Sequence, residues 1–72
     1  MLQNLGSNKV QITKADGTVI FYSYNTPVAA LVKGEYFRTS KKWSTTTSKH
    51  INQWLDGVKA TEKPQEFFDA LQ

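Results

Sequence analysis

Apolar and polar residues alternate through Lys9-Val10-Gln11-Ile12-Thr13, the period-two signature of a half-buried strand. Asp16-Gly17 follows, a dipeptide suited to a tight hairpin turn because glycine adopts positive φ freely. The run Thr18-Val19-Ile20-Phe21-Tyr22-Ser23-Tyr24 is rich in β-branched and aromatic residues and predicts a second strand. Asn25-Thr26-Pro27 is expected to break the ladder, since Pro27 has no N–H to donate. Val28-Ala29-Ala30-Leu31-Val32 reads as a strand or a buried connector. Lys33-Gly34 is the next turn, and Glu35-Tyr36-Phe37-Arg38-Thr39 a further strand. Two hairpins in series predict an antiparallel β-meander over residues 8–39.

The period then changes. Ile51, Trp54, Leu55 and Val58 stand at i, i+3, i+4 and i+7, one face of an α-helix. Hydroxyl residues from Ser44 onward supply an N-cap, and Asp56-Gly57 a stop with Gly57 left-handed, so a helix over 44–56 is predicted. Residues 58–63 cross back as a loop or a short strand. Pro64 and Glu66 suit the first turn of a second helix over 64–71, which presents Phe67, Phe68 and Leu71. The expected architecture is α+β: a small antiparallel meander of about four strands, with both helices packed on one of its faces. Val10 and Ile12 should face them, with either Ile20 and Tyr22 or Val19 and Phe21 beside them. Periodicity cannot choose, because both faces of that strand are apolar, and this suggests that the second face is covered as well.

Length and composition narrow the picture. Seventy-two residues form one domain, spanning 1–72, and with 39% hydrophobic and 21% charged residues the chain has a globular composition. The absence of cysteine excludes disulfides and thiolate metal sites, and a single histidine leaves no nitrogen-rich site either. A core of this size supplies only ~3–5 kcal/mol, so aromatic burial or homo-oligomerisation is expected to make up the difference. No apolar run approaches a membrane span, and Met1-Leu2-Gln3-Asn4 does not read as a signal peptide. A soluble, intracellular protein is expected.

The net charge of +3 is distributed unevenly: residues 1–32 sum to +1, residues 33–50 to +4 and residues 51–72 to −2. Within the basic portion lies Arg38-Thr39-Ser40-Lys41-Lys42-Trp43-Ser44-Thr45-Thr46-Thr47-Ser48-Lys49-His50, where seven of residues 39–48 are Ser or Thr. Cations, hydroxyls and an aromatic residue leading into a helix N-terminus form a pattern suited to phosphate. Arg38, Lys41, Lys42, Trp43, Ser44, Lys49 and His50 are therefore the candidate nucleic-acid or anion-binding residues. Trp43 and Tyr36 are candidates to stack on unpaired bases. The competing reading makes Trp43 a core anchor and the hydroxyl run surplus capping.

No catalytic constellation is evident. His50, the one imidazole, has candidate partners in Ser44 and Thr46–Thr47, but reads more readily as a helix-surface residue bonded to backbone or solvent. The acidic residues Asp56, Glu62, Glu66 and Asp69 lack metal-ligand spacing, and four scattered glycines form no phosphate loop. A non-enzymatic protein without cofactor or metal is expected.

The segments Ser23-Tyr24-Asn25-Thr26-Pro27-Val28-Ala29-Ala30 and Thr46-Thr47-Ser48-Lys49-His50-Ile51-Asn52-Gln53-Trp54-Leu55, with the ending Pro64-Gln65-Glu66-Phe67-Phe68-Asp69, resemble a family of small uncharacterised proteins of tailed bacteriophages and related viruses. The resemblance covers residues 8 to 71. It implies a virus-encoded accessory protein acting in the cytoplasm of an infected bacterium, and carries over no functional residue. Two functions are then in competition. One is a nucleic-acid-binding module built on the basic segment; the other is an inhibitor or adaptor bound to a host or viral protein, with Trp43, Tyr36 and Arg38 as hot-spot residue types. Self-association is compatible with both.

Overall fold

The computed structural model describes residues 1–72. Six strands form one sheet in sequence order: β1 (Leu2–Gly6), β2 (Lys9–Thr13), β3 (Val19–Ser23), β4 (Thr26–Val32), β5 (Glu35–Thr39) and β6 (Thr61–Lys63). The first five are antiparallel, and β6 joins β5 in parallel after the chain crosses over through α1 (Thr45–Leu55). A five-residue helix, α2 (Gln65–Asp69), ends the fold.

The α+β class is as expected, but the sheet has six strands where the pattern predicts about four. The additional strand β1 is mostly exposed and carries only two apolar side chains, Leu2 and Leu5, so its pairing to β2 is a matter of backbone hydrogen bonding rather than pattern. Strand β6, three residues long, is the short strand that was one of the two options for residues 58–63.

The break expected at Asn25-Thr26-Pro27 lies elsewhere. Tyr24 and Asn25 form the two-residue turn between β3 and β4, both at positive φ (52° and 65°), and Ser23 pairs with Thr26 across it. Positive φ at both central residues matches the right-handed twist of the flanking strands. Pro27 lies within β4, beside a bulge: Tyr22 pairs with Pro27 and Phe21 with Ala29, leaving Val28 as the extra residue. A bulge relieves the ladder of a donor there, which is how a strand accommodates proline. Lys33 and Gly34 repeat the positive-φ turn between β4 and β5. At the β2–β3 turn, the Asp16 carboxylate accepts the Thr18 backbone N–H at 2.9 Å, and hydrogen bonding from Thr18 holds its pKa below the ordinary aspartate range.

The helices occupy opposite faces of the sheet, correcting the expectation that both pack on one. Phe21 and Ala29 meet Ile51 and Leu55 of α1 in a cluster that also takes in Val28. The indole of Trp54 stacks on Phe21 (centroids 5.3 Å apart) and meets Tyr36 edge-on at 5.8 Å. Ile20, Ala30 and Phe37 are successive cross-strand partners whose side chains alternate with those of Phe21 and Ala29, so they share the other face. There Phe67 packs on Phe37 at 5.2 Å, and Phe68 is fully buried. Strand β3 is apolar on both sides because the chain itself buries both of its faces, Phe21 under α1 and Ile20 on the side of α2. Val58, assigned to the apolar face by spacing, lies past the end of α1 and is exposed. Helix α1 ends on Asp56 in the left-handed conformation, with Gly57 left-handed after it.

Candidate functional site

Ser44 caps α1 as its position suggests: its hydroxyl accepts the Thr47 backbone N–H at 3.2 Å. No acidic residue occupies the first turn, so the partial positive charge of this helix end is not offset locally. The chain reaches the cap from β5 through residues 40–43, which carries Lys41, Lys42 and Trp43 past the end of the sheet.

These residues border a cleft of about 320 Å³. Arg38, Lys41, Lys42 and Trp43 line it together with Thr45 and Ser48 from α1, and Glu62 is the one acidic residue in its wall. The cations here have neutral partners. Arg38 Nη1 donates to Asn52 Oδ1 at 3.2 Å, and the Lys41 ammonium lies 4.2 Å from the centroid of the Trp43 ring. Arg38 Nε is buried and has no hydrogen-bond partner. A buried donor without an acceptor is rare, because its desolvation is uncompensated. Arg38 itself lines the cleft among lysines and hydroxyls, a composition that would stabilise an anionic oxygen.

Trp43 is not a core anchor. It is 40% exposed, and its indole N–H donates to Gln65 Oε1 at 3.2 Å. Gln65 also accepts from the Thr39 hydroxyl at 2.9 Å and donates through Nε2 to the Pro27 carbonyl at 2.7 Å. The indole edge is thereby tied to β4, β5 and α2. Tyr36, the other sequence candidate for stacking, packs against Trp54 and lies outside the cleft. Lys33, counted with the basic segment, sits in the β4–β5 turn at the opposite end of β5. Lys49 is exposed on α1 but does not line the cleft.

His50 stands apart from this group. Its Nδ1 lies 2.9 Å from the Ser23 hydroxyl, which is 3.3 Å from Thr47 Oγ1, itself 3.3 Å from Ser44 Oγ. The expected partners among the neighbouring hydroxyls are therefore reached only through Ser23 on β3. Ser23 is 1% exposed, and its hydroxyl, engaged by His50 and Thr47, fastens α1 to the sheet. The free side of His50 borders a separate small cavity with Leu5, Lys9, Phe21, Gln53 and Trp54.

A family model matches residues 1–70. The chain belongs to DUF8033, a family of unknown function. No curated protein and no solved structure matches it. In this DUF8033 chain, the basic cleft is legible in the sequence because its residues are nearly contiguous. Three residues of its surroundings are not. Ser23 and Gln65 reach their partners only through the fold, and Tyr24 reads as the end of a strand. Tyr24 instead projects from the β3–β4 turn, 50% exposed, with its ring centroid 5.7 Å from that of His50. Its one available signal is the following Asn25, a residue that tolerates the left-handed region and favours such turns. No group of three or more His, Asp or Glu side chains is placed to hold a metal ion, and no helix is long and apolar enough to cross a membrane.

Proposed function

We propose that this protein is a non-enzymatic nucleic-acid-binding module whose phosphate contacts are made in the cleft between residues 38–43 and the first turns of α1. The observation that carries the reading is a cleft lined by Arg38, Lys41 and Lys42 together with hydroxyls, whose cations have no carboxylate partner. Arg38, Lys41 and Lys42 supply charge, and Thr45 and Ser48 supply hydroxyls. Such contacts position a protein on nucleic acid without reading its sequence. Lys49 and the Ser44-capped helix end add positive potential from outside the cleft, and His50 acts on α1 rather than on the ligand. The resemblance of residues 8 to 71 to small phage proteins supports placing the protein among virus-encoded accessory factors acting inside an infected bacterium.

The test is a titration against labelled single- and double-stranded DNA across a range of salt. Each neutralised phosphate contributes a log–log slope of about −0.7 to −0.9. Replacing Lys41 and Lys42 together by Ala is expected to reduce the slope by roughly two contacts and to weaken all sequences alike. A wild-type protein that binds no nucleic acid at low salt excludes this reading. The inhibitor or adaptor reading then stands in its place, supported by the exposure of Tyr24 and Trp43, residue types that dominate protein-binding hot spots.

A further inference from the structure

Beside the basic cleft lies a second cavity of about 250 Å³, bordered by Ser23, Tyr24, Thr26 and Val28 from β3, β4 and their turn and by Trp43, Ser44 and Thr47 at the start of α1. Trp43 lines both, so the two cavities adjoin at its indole. No carboxylate borders this second cavity. Its volume falls below the ~300–1,000 Å³ of pockets for drug-sized ligands and suits a single planar ring system. Tyr24 and Trp43 are the only aromatic side chains among the large apolar residues left exposed.

Both rings are held in place from behind. The indole N–H of Trp43 is tied to Gln65, and the Lys41 ammonium lies over its face. The Tyr24 ring rests against His50, which is itself fixed by the buried Ser23 hydroxyl. A ring already immobilised loses little rotational freedom when a ligand packs on it. Tyr24 also occupies its position against local preference. At φ 52° it lies in the left-handed region, where a bulky side chain is an outlier and Asn or Gly is favoured. The same conformation recurs at Lys33, the first residue of the β4–β5 turn (φ 51°), so what sets Tyr24 apart is the exposure of its ring beside the cavity.

We propose that Tyr24 and Trp43 form a stacking site for an unpaired base, so that the protein binds single strands in preference to duplex. This rests on the nucleic-acid reading above and names the substrate class of the same surface. In a duplex both faces of every base are already stacked. In a single strand a base enters between the rings while the adjoining phosphates lie along Lys41, Lys42 and Arg38, the combination of aromatic platform and cationic groove that serves single-strand binding.

The experiment compares anisotropy titrations of labelled oligothymidine and of a mixed-sequence duplex of equal length, at low salt, for the wild type, Tyr24→Asn, Trp43→Ala and the Lys41→Ala/Lys42→Ala pair. Wild type is expected to favour the single strand. Tyr24→Asn is expected to weaken single-strand binding by about 5- to 150-fold, to leave duplex binding unchanged, and to melt at the same temperature as wild type or higher, because Asn fits the left-handed turn better. That pairing of firmer folding with weaker binding separates a binding role from a structural one. Equal wild-type affinity for the two ligands overturns the proposal. So does an unchanged single-strand affinity in Tyr24→Asn and Trp43→Ala, and if the lysine pair still weakens both ligands, the nucleic-acid reading survives alone. Absence of binding to either ligand removes both.

Discussion

Gln65 makes four hydrogen bonds with one amide. Its oxygen accepts from the Thr39 hydroxyl and the Trp43 indole, and its nitrogen donates to the Pro27 carbonyl and, at 3.1 Å, to Asp69 Oδ1. That is the full capacity of a carboxamide, two acceptor lone pairs and two N–H donors. Glutamate has the same shape and retains only the acceptors. Gln65→Glu therefore leaves the Thr39 and Trp43 bonds in place but sets a carboxylate against the Pro27 carbonyl and the Asp69 carboxylate. A loss of about 1–3 kcal/mol is expected, measured as a shift in the urea midpoint at neutral pH. The sign of its pH dependence follows from the repulsion. Folding raises the pKa of the introduced carboxyl above its unfolded value, so protonation favours the folded state. The defect should therefore shrink as the pH falls toward about 4, where the neutral acid donates again. A Gln65→Glu midpoint equal to wild type at neutral pH would show that these bonds contribute nothing net.

Helix α1 shows how local chemistry and tertiary contact divide the work. At 11 residues, opening on Thr45, Thr46 and Thr47, it is too short and too β-branched to persist alone. It is held by its cap and by the burial of Thr47, Ile51 and Leu55 against the sheet. Ser44→Ala is expected to cost about 1 kcal/mol, and Ser44→Gly only a few tenths. Ser44→Asp should keep the cap and gain from the helix dipole, yet bring negative charge beside the Trp43 indole and the basic cleft. It is expected to melt no lower than wild type while binding nucleic acid more weakly, read by thermal melts and titration side by side. The elements legible in the sequence are those with a local cause. Strand β5 is legible at its observed bounds because two-residue turn chemistry precedes it, and α1 because its cap and apolar spacing agree. Strand β1 is invisible because Gln3, Asn4 and Gly6 carry no apolar period. The placement of the helices is invisible for the opposite reason: Ile20 and Phe21 are adjacent and both apolar, and only the order in which the chain returns decides which helix takes which face. In the site, Lys41 to Ser44 can be read off as neighbours, whereas Ser23 with His50 and Tyr24 beside Trp43 are juxtapositions of residues 19 or more positions apart.

Six strands spaced about 4.8 Å apart make a sheet wider than the ~10–12 Å of one helix, and each face of this sheet has a single helix. Helix α1 lies over β3 and α2 over β4, and because Gln53 and Trp54 of α1 also reach Lys9 and Gln11, it is the α2 face of the β1–β2 side that is left thinly covered. The two faces differ there in composition. Toward the α1 side, β1 and β2 present Gln3, Lys9, Gln11 and Thr13 together with Leu5, which packs against the α1 core; Gln11 accepts the Trp54 indole N–H at 2.9 Å and Lys9 donates to Gln53. Toward the α2 side, the cross-strand pairs Leu2 with Ile12 and Val10 with Tyr22 place four apolar or aromatic side chains on one surface. Leu2 is 65% exposed, and the other three are only half-buried. The outer edge of β1 is a poor route to association, because the bulge between Asn4 and Gly6 bends it out of register. The apolar surface is the better one, and a second copy of the same chain offers it a matching apolar surface about a two-fold axis. A homodimer is therefore expected through this face, leaving the basic cleft of each copy open at the other end of the sheet. Light scattering at micromolar concentration should give twice the 8.2 kDa chain mass, and Val10→Lys should return the mass to that of one chain without altering the far-UV spectrum. A wild-type mass of one chain refutes the dimer, and a Val10→Lys protein that remains dimeric moves the interface away from this face.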